Sequence, residues 1–226
     1  MKKITLTGDV VTSNTGTLYD YFDLEAIHPK KVRNLLQESN NEDIEVTLTT
    51  NGGSVFAGQE IYNLIKEYNG KTTLKIAGLV ASIGTLISCA FDEVLISQAA
   101  TFMIHNPTIG GVSGEKRDME QATQLLDTIE NSLLNAYVAK TGLDREGLAE
   151  LMMNQTFMTA QEAVDYGFAD GFIEQTEDSL QLVASFGEPN NDFIEVLQKL
   201  KKDKERDLAQ ARLRFFELEE KYVREN

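Results

Sequence analysis

Apolar and polar residues alternate through Ile4-Thr5-Leu6-Thr7 and again through Ile44-Glu45-Val46-Thr47-Leu48. A period of two predicts strands there. The run Thr72 to Ala81 predicts another strand, and residues 93–105 supply two short ones. Between these runs the period becomes helical. Val32, Leu35 and Leu36 share a face just beyond Pro29, which sits where a helix can begin. Val55, Ile61, Tyr62, Leu64 and Ile65 recur at helical spacing after the pair Gly52-Gly53, and residues 83–91 read as a buried helix. The stretch TSNTGT, residues 12–17, reads as a polar turn.

The longest helical pattern covers residues 114–142, with Met119, Ala122, Leu125, Leu126, Ile129, Leu133 and Tyr137 as its apolar stripe and Gly142 as its stop. Shorter helices are predicted over 144–152 and 159–167; Thr159 and Glu162 have capping-box spacing, and Gly167 closes the second helix. Strand, helix, strand, helix, strand in this order predicts right-handed βαβ crossovers and a mainly parallel sheet, an α/β fold.

After about residue 188 the pattern changes. Phe193, Leu197 and Leu200, then Ala211, Phe215, Leu218 and Tyr222, are spaced by three and four, while Lys204 and Asp207 interrupt the seam. This predicts a charged helix capable of weak coiled-coil pairing or of packing on its own body. The charge divides at the same place: residues 1–188 hold 12 basic and 27 acidic side chains, and residues 189–226 hold nine of each. Two regions are therefore expected, 1–188 and 189–226. A net charge of −15 argues against nucleic acid or an anionic membrane as partner. No stretch approaches a membrane span or a secretion signal, so the cytoplasm is the expected compartment. Cys89 lies in an apolar run and reads as a buried small side chain. No metal spacing, phosphate loop or dinucleotide fingerprint is present, so no cofactor is expected.

In parallel α/β sheets, ligands meet the protein where strands end and helices begin. Three such junctions here are chemically distinctive. Gly52-Gly53 can turn backbone N–H groups outward. Ser82 stands where a strand-like run meets a helix-like run, and His105 stands at another strand end. His28, before Pro29 in a charged segment, is expected at the surface. A serine, a histidine and a glycine pair at the exits of one sheet are the parts of acyl transfer: imidazole takes the hydroxyl proton and backbone donors hold the oxyanion.

Four segments, NGGSVFAGQEIYNLI, GLVASIGTLISCAF, MIHNPTIGG and MTAQEAVDYGFAD, resemble in order and spacing the signatures of the Clp protease proteolytic subunit, ClpP, across most of residues 4–175. The resemblance implies a ClpP/crotonase-like spiral of βαβ units, protein substrates, and a homo-oligomeric ring or stacked rings. It implies Ser82 as nucleophile, His105 as base, and the backbone N–H groups of Gly53 and Ile83 as oxyanion donors. One position departs from the family. Where ClpP carries an aspartate, two residues before Phe157, this chain has Gln155, with Asn154 beside it. Either amide could orient the imidazole without offsetting its charge, another carboxylate could replace the missing one, or turnover could be slow.

The segment 7–38 more closely resembles the ClpP-like head maturation proteases of tailed bacteriophages and prophages. That resemblance implies an ATP-independent protease cleaving scaffold and capsid proteins inside a prohead, with residues 189–226 as a scaffold-like extension. The alternatives are a weakly active or inactive assembly protein of the same fold, a bacterial ClpP-like peptidase, and a crotonase-like acyl-CoA enzyme. A serine–lysine peptidase using Lys75 or Lys140 is a further alternative, against which the histidine motif speaks.

Overall fold

The computed structural model describes residues 1–174, and Met1–Ile173 form one compact unit. The region boundary expected at 188/189 and the charged C-terminal helix lie outside the described residues. In chain order the elements are β1 (Lys2–Thr7), β2 (Asp9–Val10), α1 (Ser13–Tyr21), β3 (Ala26–Ile27), α2 (Pro29–Glu38), β4 (Ile44–Thr50), α3 (Val55–Lys66), β5 (Thr72–Ala81) and α4 (Ile83–Ser88). They continue with β6 (Glu93–Ile96), β7 (Thr101–Ile104), α5 (Lys116–Thr141), α6 (Arg145–Met153), β8 (Thr156–Thr159), α7 (Ala160–Asp165) and β9 (Gly171–Phe172).

The alternation in β4 sends Ile44, Val46, Leu48 and Thr50 inward and leaves the residues between them half-covered. Around it a seven-stranded sheet runs β1-β4-β5-β6-β9, with β7 paired to β5 and β8 paired to β7. Every pairing is parallel except β7 with β8. The α/β architecture and mainly parallel sheet thus agree with the sequence. Strand β5 serves two neighbours in succession: Thr73–Ile76 pair with β6, and Leu79–Ala81 pair with β7. The β4/β5 register shifts between Leu48 and Thr50, where the strand makes this change. One strand therefore exchanges β6 for β7 as its neighbour along its length, and β5 and β7 end near the same point.

Local signals account for most helix boundaries. Pro29 opens α2, Thr159 and Glu162 cap α7 reciprocally, and Gly142 ends α5 in the left-handed conformation. In α5 only the C-terminal half of the apolar stripe is covered. Ile129, Leu133, Leu134 and Tyr137 are buried, whereas Met119 and Leu125 remain 40% and 38% exposed.

Two expectations are corrected. Residues 12–17 are not a polar turn: Thr12 caps α1, and its hydroxyl accepts the Thr15 N–H. His28 is not at the surface but 1% exposed. Its Nδ1 accepts the Lys31 N–H at 3.3 Å, making it the N-cap of α2, and its Nε2 donates to Asp20 Oδ2 at 3.0 Å. Its charged neighbours suggest exposure, but a histidine can supply the cap acceptor that serine or aspartate usually supplies. Strands β8 and β9 also carried too little alternation to be read from the sequence.

Candidate active site

The site is built where β5 and β7 end. Ala81 stands opposite Met103 in the parallel register, and the Ser82 N–H donates to Met103 O at 2.9 Å. That pairing puts Ser82 beside the last residues of β7, so His105 leaves its strand next to it. The chain then turns sharply. Ser82 adopts φ 56° and ψ −129°, and α4 begins at the next residue. A side chain with a Cβ held in this region costs about 1–3 kcal/mol, a strain found mostly at functional sites. The turn presents the hydroxyl at the tip of the elbow. His105 Nε2 lies 2.7 Å from Ser82 Oγ. With the proton on Nδ1, Nε2 accepts the hydroxyl hydrogen and is placed to remove it as the oxygen attacks.

The glycine pair is held from a direction the sequence did not disclose. The Val10 N–H donates to Gly52 O at 2.8 Å, and the Ser54 N–H donates to Val10 O at 2.7 Å. Val10 thus bridges Gly53 in parallel-strand fashion, using the groups on either side of Gly53 and leaving the Gly53 N–H turned away from it. Thr50 Oγ1 accepts the Gly52 N–H at 3.0 Å, which fixes the start of the loop. Ile83 is the first residue of α4, so its N–H lacks an intrahelical acceptor, and among the described residues it has no other backbone acceptor. Free main-chain donors therefore lie on both sequence segments that flank the hydroxyl.

Gln155 and Asn154 are exposed, and neither makes a hydrogen bond to His105. Gln155 occupies φ 49° between α6 and β8. Among the described residues, the hydrogen bond to Ser82 is the only one made by the His105 ring. The neighbouring Asn106 Oδ1 is enclosed without a partner among these residues. The lysines of the alternative mechanism are engaged elsewhere: Lys75 lies 2.8 Å from Glu45, and Lys140 lies 2.8 Å from Asp170. The Lys75 hydrogen bond holds the Glu45 carboxyl below the usual carboxylate range. Burial pushes the Cys89 thiol up to about 12, leaving it neutral and unsuited to attack. No group of three or more His, Cys, Asp or Glu among the described residues is placed to hold a metal ion, and no helix there is long and apolar enough to cross a membrane.

A spiral of βαβ units, with a hydroxyl and an imidazole in contact at adjacent strand ends and unpaired main-chain donors beside them, defines a class of hydrolases that work through an acyl-serine. Comparison with known proteins narrows that class. The family described as Clp protease matches residues 27–176. The ATP-dependent Clp protease proteolytic subunit 1 of Chlamydia abortus is 32% identical over 148 residues, which span 64% of this chain and 77% of the relative. The protein of the same name from Protochlamydia amoebophila is 35% identical over 131 residues, 56% of this chain and 63% of its own. That from Chlamydia pneumoniae is 31% identical over 148 residues, again 64% and 77%. The chain belongs to the Clp protease family and is a serine-type peptidase.

Proposed function

We propose that this chain is an endopeptidase working through Ser82 and His105 and acting as a prohead maturation protease. The single observation that carries the mechanism is the 2.7 Å contact between Ser82 Oγ and His105 Nε2 at a strained elbow. The hydroxyl oxygen attacks the peptide carbonyl carbon while its proton passes to Nε2. The carbonyl oxygen, now negative, takes hydrogen bonds from the Gly53 and Ile83 N–H groups. His105 returns the proton to the departing amine, and water repeats the sequence to release the acyl group. Gln155 does not offset the charge of the imidazolium, so the working unit is a dyad with slow turnover. Slow turnover suits a protease that cuts each neighbour once at high local concentration.

The maturation role rests on the resemblance of residues 7–38 to phage enzymes and on the extension beyond residue 188. The substrates in this reading are scaffold and capsid proteins, and the assembly is a ring or stacked rings. The half-covered apolar stripe of α5 is the surface offered for stacking. A second reading, a bacterial ClpP-type peptidase, is favoured by the chlamydial subunits. Co-expression with capsid and scaffold proteins tests the first. Fragments that appear with wild type and vanish with Ser82→Ala support it; identical fragments from both remove it. Deleting residues 190–226 is expected to leave peptide cleavage intact and to abolish incorporation into proheads.

A further inference from the structure

Behind the elbow lies a chain of buried hydroxyls that the mechanism above does not use. Thr85 Oγ1 donates to the Ser82 carbonyl oxygen at 2.6 Å, and Tyr137 Oη lies 2.6 Å from Thr85 Oγ1. Thr85 is fully buried and Tyr137 is 1% exposed. The direction of the chain is forced. A carbonyl can only accept, so the single Thr85 proton points to Ser82 O, and the Tyr137 proton must then point to Thr85 Oγ1. Burial pushes the Tyr137 phenol far up, so it stays a neutral donor. Each donation polarises the next hydroxyl, which strengthens the final bond to the carbonyl. The Thr85 N–H adds a second bond to the same oxygen at 3.0 Å.

The grip on this oxygen matters because of what shares its plane. The Ser82 carbonyl and the Ile83 N–H belong to one trans peptide, so they point in opposite directions and cannot turn independently. Fixing the oxygen inside the core aims the N–H outward, beside the nucleophile. Tyr137 is itself immobilised: its ring meets Phe168 edge-on at 5.4 Å, and Phe168 packs at 5.1 Å on Phe102, in the strand that leads into His105. We infer that Tyr137 and Thr85 are positioning residues, a hydroxyl relay from α5 that holds the strained elbow and aims the Ile83 oxyanion donor. This rests on the serine-hydrolase reading of the site and adds to it how the donor is kept in place.

The test uses the full-length chain and an alkyl fluorophosphonate as probe. Ser82 Oγ bonds to phosphorus, fluoride leaves, and the hydroxyl proton passes to His105. The adduct is followed by intact mass at a temperature well below unfolding. Losing an oxyanion donor outright costs about 10²–10³ in rate, so misaiming one should cost part of that. Tyr137→Phe, which removes one oxygen atom, is expected to label about tenfold more slowly, and Thr85→Val about 50-fold. Thr85→Ser restores the donor and is expected within about threefold of wild type. Tyr137 acts through Thr85, so the double variant Tyr137→Phe/Thr85→Val should be no slower than Thr85→Val alone. Wild-type rates in Tyr137→Phe and Thr85→Val, or equal losses in Thr85→Ser and Thr85→Val, would overturn the relay. If wild type labels no faster than Ser82→Ala, the serine-hydrolase reading itself fails, and the relay with it.

Discussion

Gly52 and Ser82 meet back to back: a Cβ added to Gly52 would lie 2.5 Å from Ser82 Cβ and 3.0 Å from its Oγ. Gly52 also sits at φ +99°, where a side chain is strained whatever the space around it. The loop carrying the Gly53 donor can therefore approach the nucleophile only because position 52 has no side chain. Gly52→Ala is expected to lower fluorophosphonate labelling of Ser82 by at least about 100-fold, the scale of a lost oxyanion donor. Far-ultraviolet circular dichroism should show the fold retained. Labelling near the wild-type rate would show that the loop is not held against Ser82 as described.

Gln155 offers a gain-of-function test. A carboxylate replaced by its amide lowers turnover about 10⁴-fold in the best-studied serine protease triad. Here the amide is exposed and makes no hydrogen bond to the imidazole. Gln155→Ala is thus expected to keep peptidase turnover within about threefold of wild type, because truncation removes no contact to His105. Gln155→Asp, which restores the carboxylate that ClpP carries at this position, is expected to raise turnover about tenfold or more. Steady-state hydrolysis of a casein substrate near neutral pH reads both. A large loss in Gln155→Ala would identify the amide as a working third member.

Much of this site could be read before the structure, for identifiable reasons. Ser82 and His105 terminate strands with plain patterns, and the glycine pair announces a special backbone. What stayed hidden depends on tertiary neighbours. α1 contains Ser13, Asn14, Thr15, Gly16 and Thr17, poor helix formers that packing and the Thr12 cap overrule. Val10 clamps Gly53 from a strand of two residues that has no pattern of its own. Tyr137 was legible only as one member of an apolar stripe, because nothing in its spacing discloses that its hydroxyl meets Thr85. Gln155 stands exposed with a left-handed backbone just past the end of α6, a conformation that a glutamine does not signal.

His28 yields a stability prediction independent of catalysis. Its ring caps α2 and forms the floor on which α1 lies, since a Cβ on Gly16 would come within 2.2 Å of its carbons. With Nδ1 accepting a backbone N–H, the proton must be on Nε2, where Asp20 receives it. His28→Ala loses a cap worth about 1 kcal/mol and leaves a cavity, for a total of about 2–3 kcal/mol in urea unfolding. His28→Asn keeps a cap acceptor and should recover about 1 kcal/mol of that. Asp20→Asn should cost less than about 1 kcal/mol, because Asp20 is half-exposed. Equal losses for the alanine and asparagine variants of His28 would argue against the capping role.

The buried thiol sets the response to alkali. Burial raises Cys89 from 9.0 to about 12, and the Tyr137 phenol is raised from 10.0 by the same cause. A neutral acid whose folded pKa lies above its unfolded one contributes stability that is fully present below the unfolded value and is lost as pH rises above it. For Cys89 the loss begins near pH 9 and continues to about 12, at up to about 1.4 kcal/mol per pH unit. Tyr137 joins above about pH 10. The urea midpoint is therefore expected to fall steadily between about pH 9 and 11. Cys89→Ala should start lower, because it leaves a small cavity, yet fall less steeply with pH. At pH 8, iodoacetamide should leave Cys89 unmodified in the folded protein and alkylate it once urea has unfolded the chain. Parallel pH slopes for wild type and Cys89→Ala, or rapid alkylation of the native protein, would contradict the buried neutral thiol.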